Sequence, residues 1–294
     1  MSAGGETRGG GGTGDAATAR RQALRDEVRA LAAQKGRGTR TPRAGRAVTS
    51  DLSIDEALIL HSIGWEPVEL VCGAGVFSVP QGSWQWSVGE ITGASYAATE
   101  AMRAASSRIE SECRAVGGAG VVGVQVGVTV GRHAINVVLL GTAVSPSAGD
   151  HRLAPFVSDL SARDFALLQQ AGWEPCGLAY GTAFVHVPRR SAGTALAQSN
   201  QNVELTNFTE AMYSARESAM ERMQSAALEH AATGVVAVQV TEGPMEFAGH
   251  AVRFTAWGTA VRPGPGGHRY LQPRLAVRLD DATSLFDAAA IRGG

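Results

Sequence analysis

Hydrophobic and polar positions follow one order along this chain, and that order occurs twice. A short helical pattern leads to an apolar strand, and a long helix follows with small and apolar residues at every third or fourth position. Two β-branched runs then predict a hairpin. The first occurrence covers 53–63, 68–79, 90–116 and 121–144; the second begins at 161 and continues with 176–187, 204–232 and 234–261. The pattern predicts two copies of one α+β unit.

The amino-acid letters repeat as well as the pattern. Residues 50–79 recur as 158–187 at an offset of 108, with 12 of 30 positions identical, including the tetrapeptides SDLS and GWEP. The long helices align at an offset of 114, and each copy closes with GTAV. A fixed internal period defines the architecture of a chain before any other signal. The sequence therefore predicts two domains, at 48–146 and 156–263.

Each predicted short helix carries a start signal. Ser53 followed by Glu56 is a capping box, in which each side chain satisfies a backbone N–H of the other residue. Ser161 and Asp164 occupy the same positions in the second copy. Both copies are thus expected to open with a short capped helix.

The following strand and loop contain two further signals. Gly73 lies within the strand and recurs as Gly181, which predicts a bulge or a bend there. The next loop holds Trp84 and Trp86, which have no counterparts in the second copy. This difference favours packing of the tryptophans against a neighbouring domain or subunit over a ligand pocket shared by both copies.

The motifs SDLS, GWEP, AMYSARESAMERM, GVVAVQV and GTAV, in this order, resemble the YbjQ-like (DUF74) family, which is labelled as heavy-metal-binding. The resemblance covers 50–146 and 158–263 and is weaker in the first copy, where 102–104 read MRA in place of RES. It implies a dodecin-like β-α-β-β unit with a helix packed on an antiparallel sheet, and assembly as a homopentameric ring. The expected fold is therefore two tandem dodecin-like units, each preceded by a short capped helix.

The terminal segments differ from the repeats in composition. The net charge of −1 conceals ten basic against four acidic residues in 1–47. This predicts a disordered basic arm with a short helix, either an electrostatic contact for nucleic acid or a solvated tail. The lack of aromatic residues between the arginines favours the tail. Residues 264–294 predict a flexible tail with a short strand pattern, either a docking segment for a protein partner or a segment that folds back on its own domain.

Composition also bears on the compartment. No apolar run reaches the roughly 18–20 residues of a membrane span, and no apolar signal core follows the N-terminus. Three cysteines without CxxC spacing indicate neither a disulfide framework nor a zinc site and fit a reducing cytosol. We therefore expect a cytoplasmic protein without membrane contact.

One pair of residues is a candidate for metal binding. His133 recurs as His250 at an offset of 117, whereas no cysteine recurs. A histidine site needs several ligands at one point, so these two would require equivalents from other chains around a ring axis. The alternative is that both are exposed residues of a hairpin turn. A divalent metal is the cofactor that the family label suggests.

No catalytic motif is evident. A GxGxxG at 118–123 precedes strands rather than opening a helix, so it does not form a dinucleotide site. The leading hypothesis is thus a non-catalytic, ring-forming homo-oligomer that binds or scaffolds. The alternatives are a metal-binding protein of metal homeostasis or stress response, and a nucleic-acid-associated protein acting through the basic arm.

Overall fold

The computed structural model describes residues 48–85, 88–147, 154–190, 193, 204–245 and 247–267. The basic arm predicted at 1–47, the predicted tail beyond 267 and Trp86 lie outside the described residues. The elements, in chain order, are α1 (Ile54–Ser62), β1 (Trp65–Ser78), α2 (Thr92–Ala115), β2 (Gly120–Val130), β3 (Ala134–Pro146), β4 (Phe156–Val157), α3 (Ala162–Gln170), β5 (Trp173–His186), α4 (Thr206–Glu229), β6 (Gly234–Met245) and β7 (Ala248–Pro263).

This order confirms two tandem β-α-β-β units, each preceded by a short helix. The predicted caps are present. The Ser53 hydroxyl accepts from the Glu56 backbone, and the Ser53 N–H donates to the Glu56 carboxylate at 2.9 Å. The Ser161 hydroxyl accepts from the Asp164 N–H at 3.1 Å. Local side-chain chemistry therefore defines where both short helices begin.

Two sheets form, with strand orders β1-β3-β2-β4 and β5-β7-β6. The three long strands of each repeat pair antiparallel, which confirms the predicted hairpin and the antiparallel sheet that the family resemblance implied. The short strand β4 belongs to the predicted second domain, yet it pairs in parallel with β2 of the first sheet. The second repeat thus completes the sheet of the first.

The long helix of each repeat approaches the first long strand of its own sheet very closely. A Cβ added at Gly73 would overlap with the carbonyl oxygen of Ala105, and one added at Gly181 would overlap with that of Ala219. Only glycine leaves room for helix backbone at this distance. The repeated glycine therefore sets the spacing between helix and sheet in both copies.

The predicted bulge at these glycines is wrong. Strand pairing continues through Gly73 and Gly181 without a shift in register. The register shifts lie earlier, within 67–69 and 175–177, next to the repeated prolines. Proline has no N–H to donate to the ladder, so the irregularity falls where a ladder bond is already missing.

The helices and sheets stack in four layers. Helix α2 packs on β1 and β3 on one side and on β5 on the other, while α4 packs on β5 and β7. Alternate residues of β5 face opposite ways: Ala179 and Ala183 join the cluster beneath α4, whereas Tyr180 and Phe184 pack with residues of α2. The order is first sheet, α2, second sheet, α4.

Among the described helices, none is long and apolar enough to cross a membrane.

Substituting Gly181 by alanine is expected to destabilise the protein, because the added methyl would overlap with the Ala219 carbonyl oxygen and lie 2.6 Å from the Met223 nitrogen. We expect the free energy of unfolding to fall by roughly 1–3 kcal/mol, measured as a lower urea midpoint. Gly249→Ala is the matched control because a Cβ there meets nothing within 4 Å. Equal midpoints for the two variants would contradict the close approach of α4.

Candidate assembly interface

Two of the repeated tetrapeptides, SDLS and GTAV, meet in space. In the second repeat the Ser158 and Thr259 hydroxyls lie 2.9 Å apart, and Thr259 donates to the Asp159 carboxylate at 2.6 Å. Burial raises the pKa of Asp159, against the opposing effect of the Thr259 hydrogen bond. This cluster holds the segment before the short helix against the last strand. The equivalent cluster of the first repeat consists of Ser50, Asp51 and Thr142.

The segment 156–160 also covers the edge of β2. The Ser158 N–H donates to the Val121 carbonyl at 2.9 Å, and its own carbonyl accepts from Val124 at 3.0 Å. The Leu160 carbonyl accepts from Gly123 at 2.8 Å. A free strand edge is a row of unpaired backbone groups, and here the second repeat pairs them. We call this segment, and its equivalent 48–52, the leading segment of each repeat.

A second set of backbone contacts joins the start of α2 to β5. The Ile91 N–H donates to the Phe184 carbonyl at 2.7 Å, and the His186 N–H donates to the Gly89 carbonyl at 2.9 Å. The Phe184 N–H donates to the Ser95 hydroxyl at 3.1 Å. The outer edge of β5 is therefore covered here by residues of the first repeat.

An ion pair crosses the same region. Arg222 of α4 donates to the Glu90 carboxylate at 2.8 Å and to the Thr182 carbonyl at 2.7 Å. Burial alone would raise the pKa of Glu90, but hydrogen bonds from Arg222 and Ser95 and the charge of Arg222 hold it below its ordinary value. The ion pair ties the two repeats together at the edge of β5.

Aromatic packing completes the contact between the two repeats. We call this whole contact, from the leading segment 156–160 on β2 to the outer edge of β5, the internal joint. The Trp84 ring lies edge-to-face against Phe184 and Phe247, with centroids 5.7 and 5.0 Å apart. Its indole N–H donates to the Arg132 carbonyl at 2.8 Å. The predicted packing of Trp84 against a neighbouring domain is confirmed, and such pairs contribute about 0.5–1.5 kcal/mol beyond area burial.

The candidate ligand His250 has a defined environment. Its Nε2 lies 2.7 Å from the Trp84 carbonyl oxygen and must donate to it, because a carbonyl only accepts. Its ring stacks on buried His186, with centroids 5.4 Å apart and planes 3° from parallel. Sequence reasoning missed His186 because its equivalent in the first repeat is Ser78, so no repetition marked it. A metal bound by His250 would have to coordinate Nδ1, or Nε2 would have to give up its hydrogen bond to the Trp84 carbonyl.

His133 occupies the exposed turn between β2 and β3, and its carbonyl accepts from the Val79 N–H at 2.9 Å. With Trp84 and Phe247 it lines a cavity of about 330 Å³. Within the described ranges, no three His, Cys, Asp or Glu residues are grouped so that they could hold a metal ion. Metal binding by His133 and His250 stays a prediction.

The three cysteines are free. Cys113 is buried, and its thiol lies 3.4 Å from the Gly120 carbonyl oxygen. Burial raises the pKa of the Cys113 thiol to about 12. Metal ligation and nucleophilic chemistry require the thiolate, so Cys113 acts as a core residue.

The geometry defines a class of protein: a tandem of β-α-β-β units joined through a helix that packs between two sheets. Residues 193–263 match a family described as "Putative heavy-metal-binding" (YbjQ_1). The chain is 34% identical over 256 residues to the encapsulin nanocompartment protein Rv1762c of Mycobacterium tuberculosis (strain ATCC 25618 / H37Rv), covering 82% of this chain and 95% of the relative. No solved structure matches the chain. The chain belongs to the YbjQ-like family, which confirms the resemblance carried by its motifs.

Acid is expected to destabilise the joint through His186. Burial, and next the neighbouring His250, lower the pKa of His186 in the folded protein. The unfolded chain therefore takes up a proton first as the pH falls below about 6.5. The free energy of unfolding therefore falls as the pH drops from about 6.5 to the lowered pKa of His186. Below that pKa, His186 causes no further loss. Urea unfolding across this pH range should show a flatter pH dependence in His186→Asn than in the native chain. Identical slopes for the two proteins would disprove this role of His186.

Proposed function

We propose that this protein is a non-catalytic scaffold built from two YbjQ-like domains, 48–146 and 156–263, and that chains assemble head to tail. The contact between chains repeats the joint that connects the two repeats within one chain. One observation carries this proposal. Each repeat buries one surface at the internal joint, and the equivalent surface of the other repeat is exposed.

The first of these surfaces belongs to the first repeat. Ile54, Leu58 and Val76 are 82%, 63% and 62% exposed, a high exposure for large apolar side chains. At an offset of 108 their equivalents in the second repeat are Ala162, Ala166 and Phe184, which are all buried. Ala162 and Phe184 lie in clusters with residues of the first repeat. We call Ile54, Leu58 and Val76 the receiving surface. Contiguous exposed apolar residues mark interaction sites.

The second surface belongs to the second repeat. Ile91 and Val124 of the first repeat are buried at the internal joint. At an offset of 114 their equivalents are Leu205 and Val238, which are 41% and 42% exposed. In the described part of the chain, no strand pairs with the outer edge of β6, whereas β4 pairs with the equivalent edge of β2. We call Leu205, Val238 and this edge the presenting surface.

The edge of β6 already has the backbone shape of a paired edge. Ala237 has φ +54°, close to the φ +66° of its equivalent Gly123, whose N–H binds the Leu160 carbonyl. A left-handed conformation costs a non-glycine residue roughly 1–2 kcal/mol. This supports strand addition, in which the Ala237 N–H would bind the leading segment of a second copy.

An assembly of this kind has a defined symmetry. Each contact joins two different surfaces, so it generates a ring if the rotation closes and a filament if it does not. Because the two repeats of one chain already form one joint, both belong to the same ring. A closed ring therefore contains an even number of repeats. A ring of five repeats cannot be built from whole chains, whereas five chains would contribute ten.

The relative in Mycobacterium tuberculosis is named as an encapsulin nanocompartment protein. From the similarity to this relative, we further propose that the assembly acts with a protein nanocompartment in the cytoplasm. The similarity over 82% of the chain supports this step, since a match of that length must extend into both repeats.

Val76→Glu places a charge on the receiving surface and should block assembly. Light scattering at micromolar concentration is expected to show an oligomer for the native chain and a mass near 30.5 kDa for the variant. Leu228→Glu is the matched control, because Leu228 is exposed but lies outside both surfaces. A native chain that is monomeric at this concentration would overturn the proposal.

Mixing two blocked variants tests the head-to-tail geometry directly. Val76→Glu retains a presenting surface, and Leu205→Glu retains a receiving surface. Each is expected to be monomeric alone, and together they should form a one-to-one complex with the mass of two chains. A self-complementary interface would leave the mixture monomeric, which would refute head-to-tail packing while leaving oligomerisation of the native chain intact.

A further inference from the structure

A cleft of about 640 Å³ lies across the outer edge of β5, between α2 and α4. Leu178, Tyr180, Met102 and Ala226 contribute its apolar lining, and serine and threonine hydroxyls line its sides. The charged residues around it are Arg103, Glu110, Arg222, Glu229 and His230. A concave apolar site with a few convergent polar groups is typical of small-molecule binding.

The first repeat shows how side chains can satisfy the equivalent strand edge, which is that of β1. On β1, the Cys72 N–H donates to the Glu112 carboxylate at 2.9 Å. One turn earlier on α2, Arg108 donates to the Ala74 carbonyl. An arginine and a glutamate, four residues apart on the helix, thus cover adjacent groups of the strand edge.

The second repeat keeps the arginine and loses the glutamate. Arg222 donates to the Thr182 carbonyl, as Arg108 does to Ala74. The equivalents of Cys72 and Glu112 are Tyr180 and Ala226, and an alanine side chain cannot accept a hydrogen bond. Within the described residues, no side chain accepts from the Tyr180 N–H in the way that Glu112 accepts from Cys72.

The direction of the Tyr180 N–H follows from the alternation of the strand. Backbone groups of Thr182 and Phe184 point away from β7, because Arg222, Ile91 and Ser95 bind them there. Residues two apart on a strand direct their backbone groups to the same side. The Tyr180 N–H therefore opens into the cleft, where Tyr180 and Ala226 both contribute to the lining.

Two basic side chains border this N–H. Arg222 lies on the side of Thr182, and His230 lies over Gly177, where an added Cβ would be 2.6 Å from the imidazole Nδ1. Gly177 replaces Glu69 of the first repeat and so makes room for the ring. Glu110 faces His230 across the cleft, and burial raises the pKa of this carboxyl against the effect of His230. An anionic acceptor at Tyr180 would lie between Arg222 and His230.

We propose that this cleft binds a small monocarboxylic acid with an apolar body. The ligand's carboxylate takes the position that the Glu112 carboxylate holds in the first repeat and accepts from the Tyr180 N–H beside Arg222. The apolar body lies on Leu178 and Met102. The site lies within one chain and does not depend on the proposed assembly.

The test uses 4-(trifluoromethyl)benzoate as the probe and its carboxamide as the neutral analogue, titrated against the full chain by fluorine NMR. We expect saturable binding of one benzoate per chain, with affinity for the carboxamide lower by about tenfold, which corresponds to roughly 1.4 kcal/mol. Binding that is absent up to about 10 mM, or equal for the two probes, would overturn the proposal.

Ala226→Glu supplies the missing carboxylate from α4 and should lower benzoate affinity at least tenfold. Gln224→Glu is the matched control, since it adds the same charge at an exposed position of the same helix. We expect the control to bind as the native chain does. If Ala226→Glu lowers the melting temperature, Ala226→Gln offers a neutral acceptor to the same N–H and should also weaken binding. Native affinity in both Ala226 variants would refute the assignment.

Discussion

Helix α2 is buried on both sides, and the packing of both repeats follows from that burial. Its buried residues cover more than one stripe of the helix, and most of them are small: Ala94, Ser95, Ala97, Ala98, Ala101, Met102, Ala105, Ile109 and Cys113. A helix that is apolar over a wide arc is buried from more than one direction. Small side chains also allow both sheets to approach the helix axis, and Gly73 brings the first sheet as close as backbone contact permits. Through α2 the two repeats share buried clusters, and the first sheet gains β4 from the second repeat.

The same sequence unit has a different environment in each copy. Helix α4 buries a single stripe at four-residue spacing, Ala211, Ala215, Ala219, Met223 and Ala227, and its other side faces outward. A unit that binds its neighbour through two unlike surfaces always leaves one of each uncovered at the ends of a series. Terminal repeats of such series need capping or further partners, and the proposed head-to-tail assembly would cover both uncovered surfaces with further copies of the chain. In the proposed assembly, the contact between the two repeats of one chain is the template for the contact between chains.

Chemical specificity arises where the copies differ. Glu112 covers the edge of β1 in the first repeat, whereas Ala226 leaves the equivalent edge of β5 open to a cleft. Gly177 accompanies His230 because the imidazole ring occupies the space that a side chain at position 177 would fill. The family label suggests a metal, yet His133 lies on an exposed turn and the Nε2 of His250 already donates to a carbonyl. Positions that repeat preserve the fold, and the substituted positions alter what the surface can bind.

The duplication, the order of elements and the starts of the short helices could be read from the amino-acid sequence, because these depend on periodicity and on local signals between side chains a few residues apart. Ser53 with Glu56 is such a local signal, and it formed as expected. Only the tertiary structure decided that Gly73 and Gly181 serve helix contact rather than a bulge, that β4 joins the first sheet, that His186 stacks on His250, and that α2 is buried on both sides. These features depend on residues that are distant along the chain, and no local pattern records which surface will cover which. The Tyr180 N–H needed both kinds of information. Alignment of the two copies reveals that a glutamate is lost in the second repeat, but only the contacts at the strand edge show which group that glutamate would have bound.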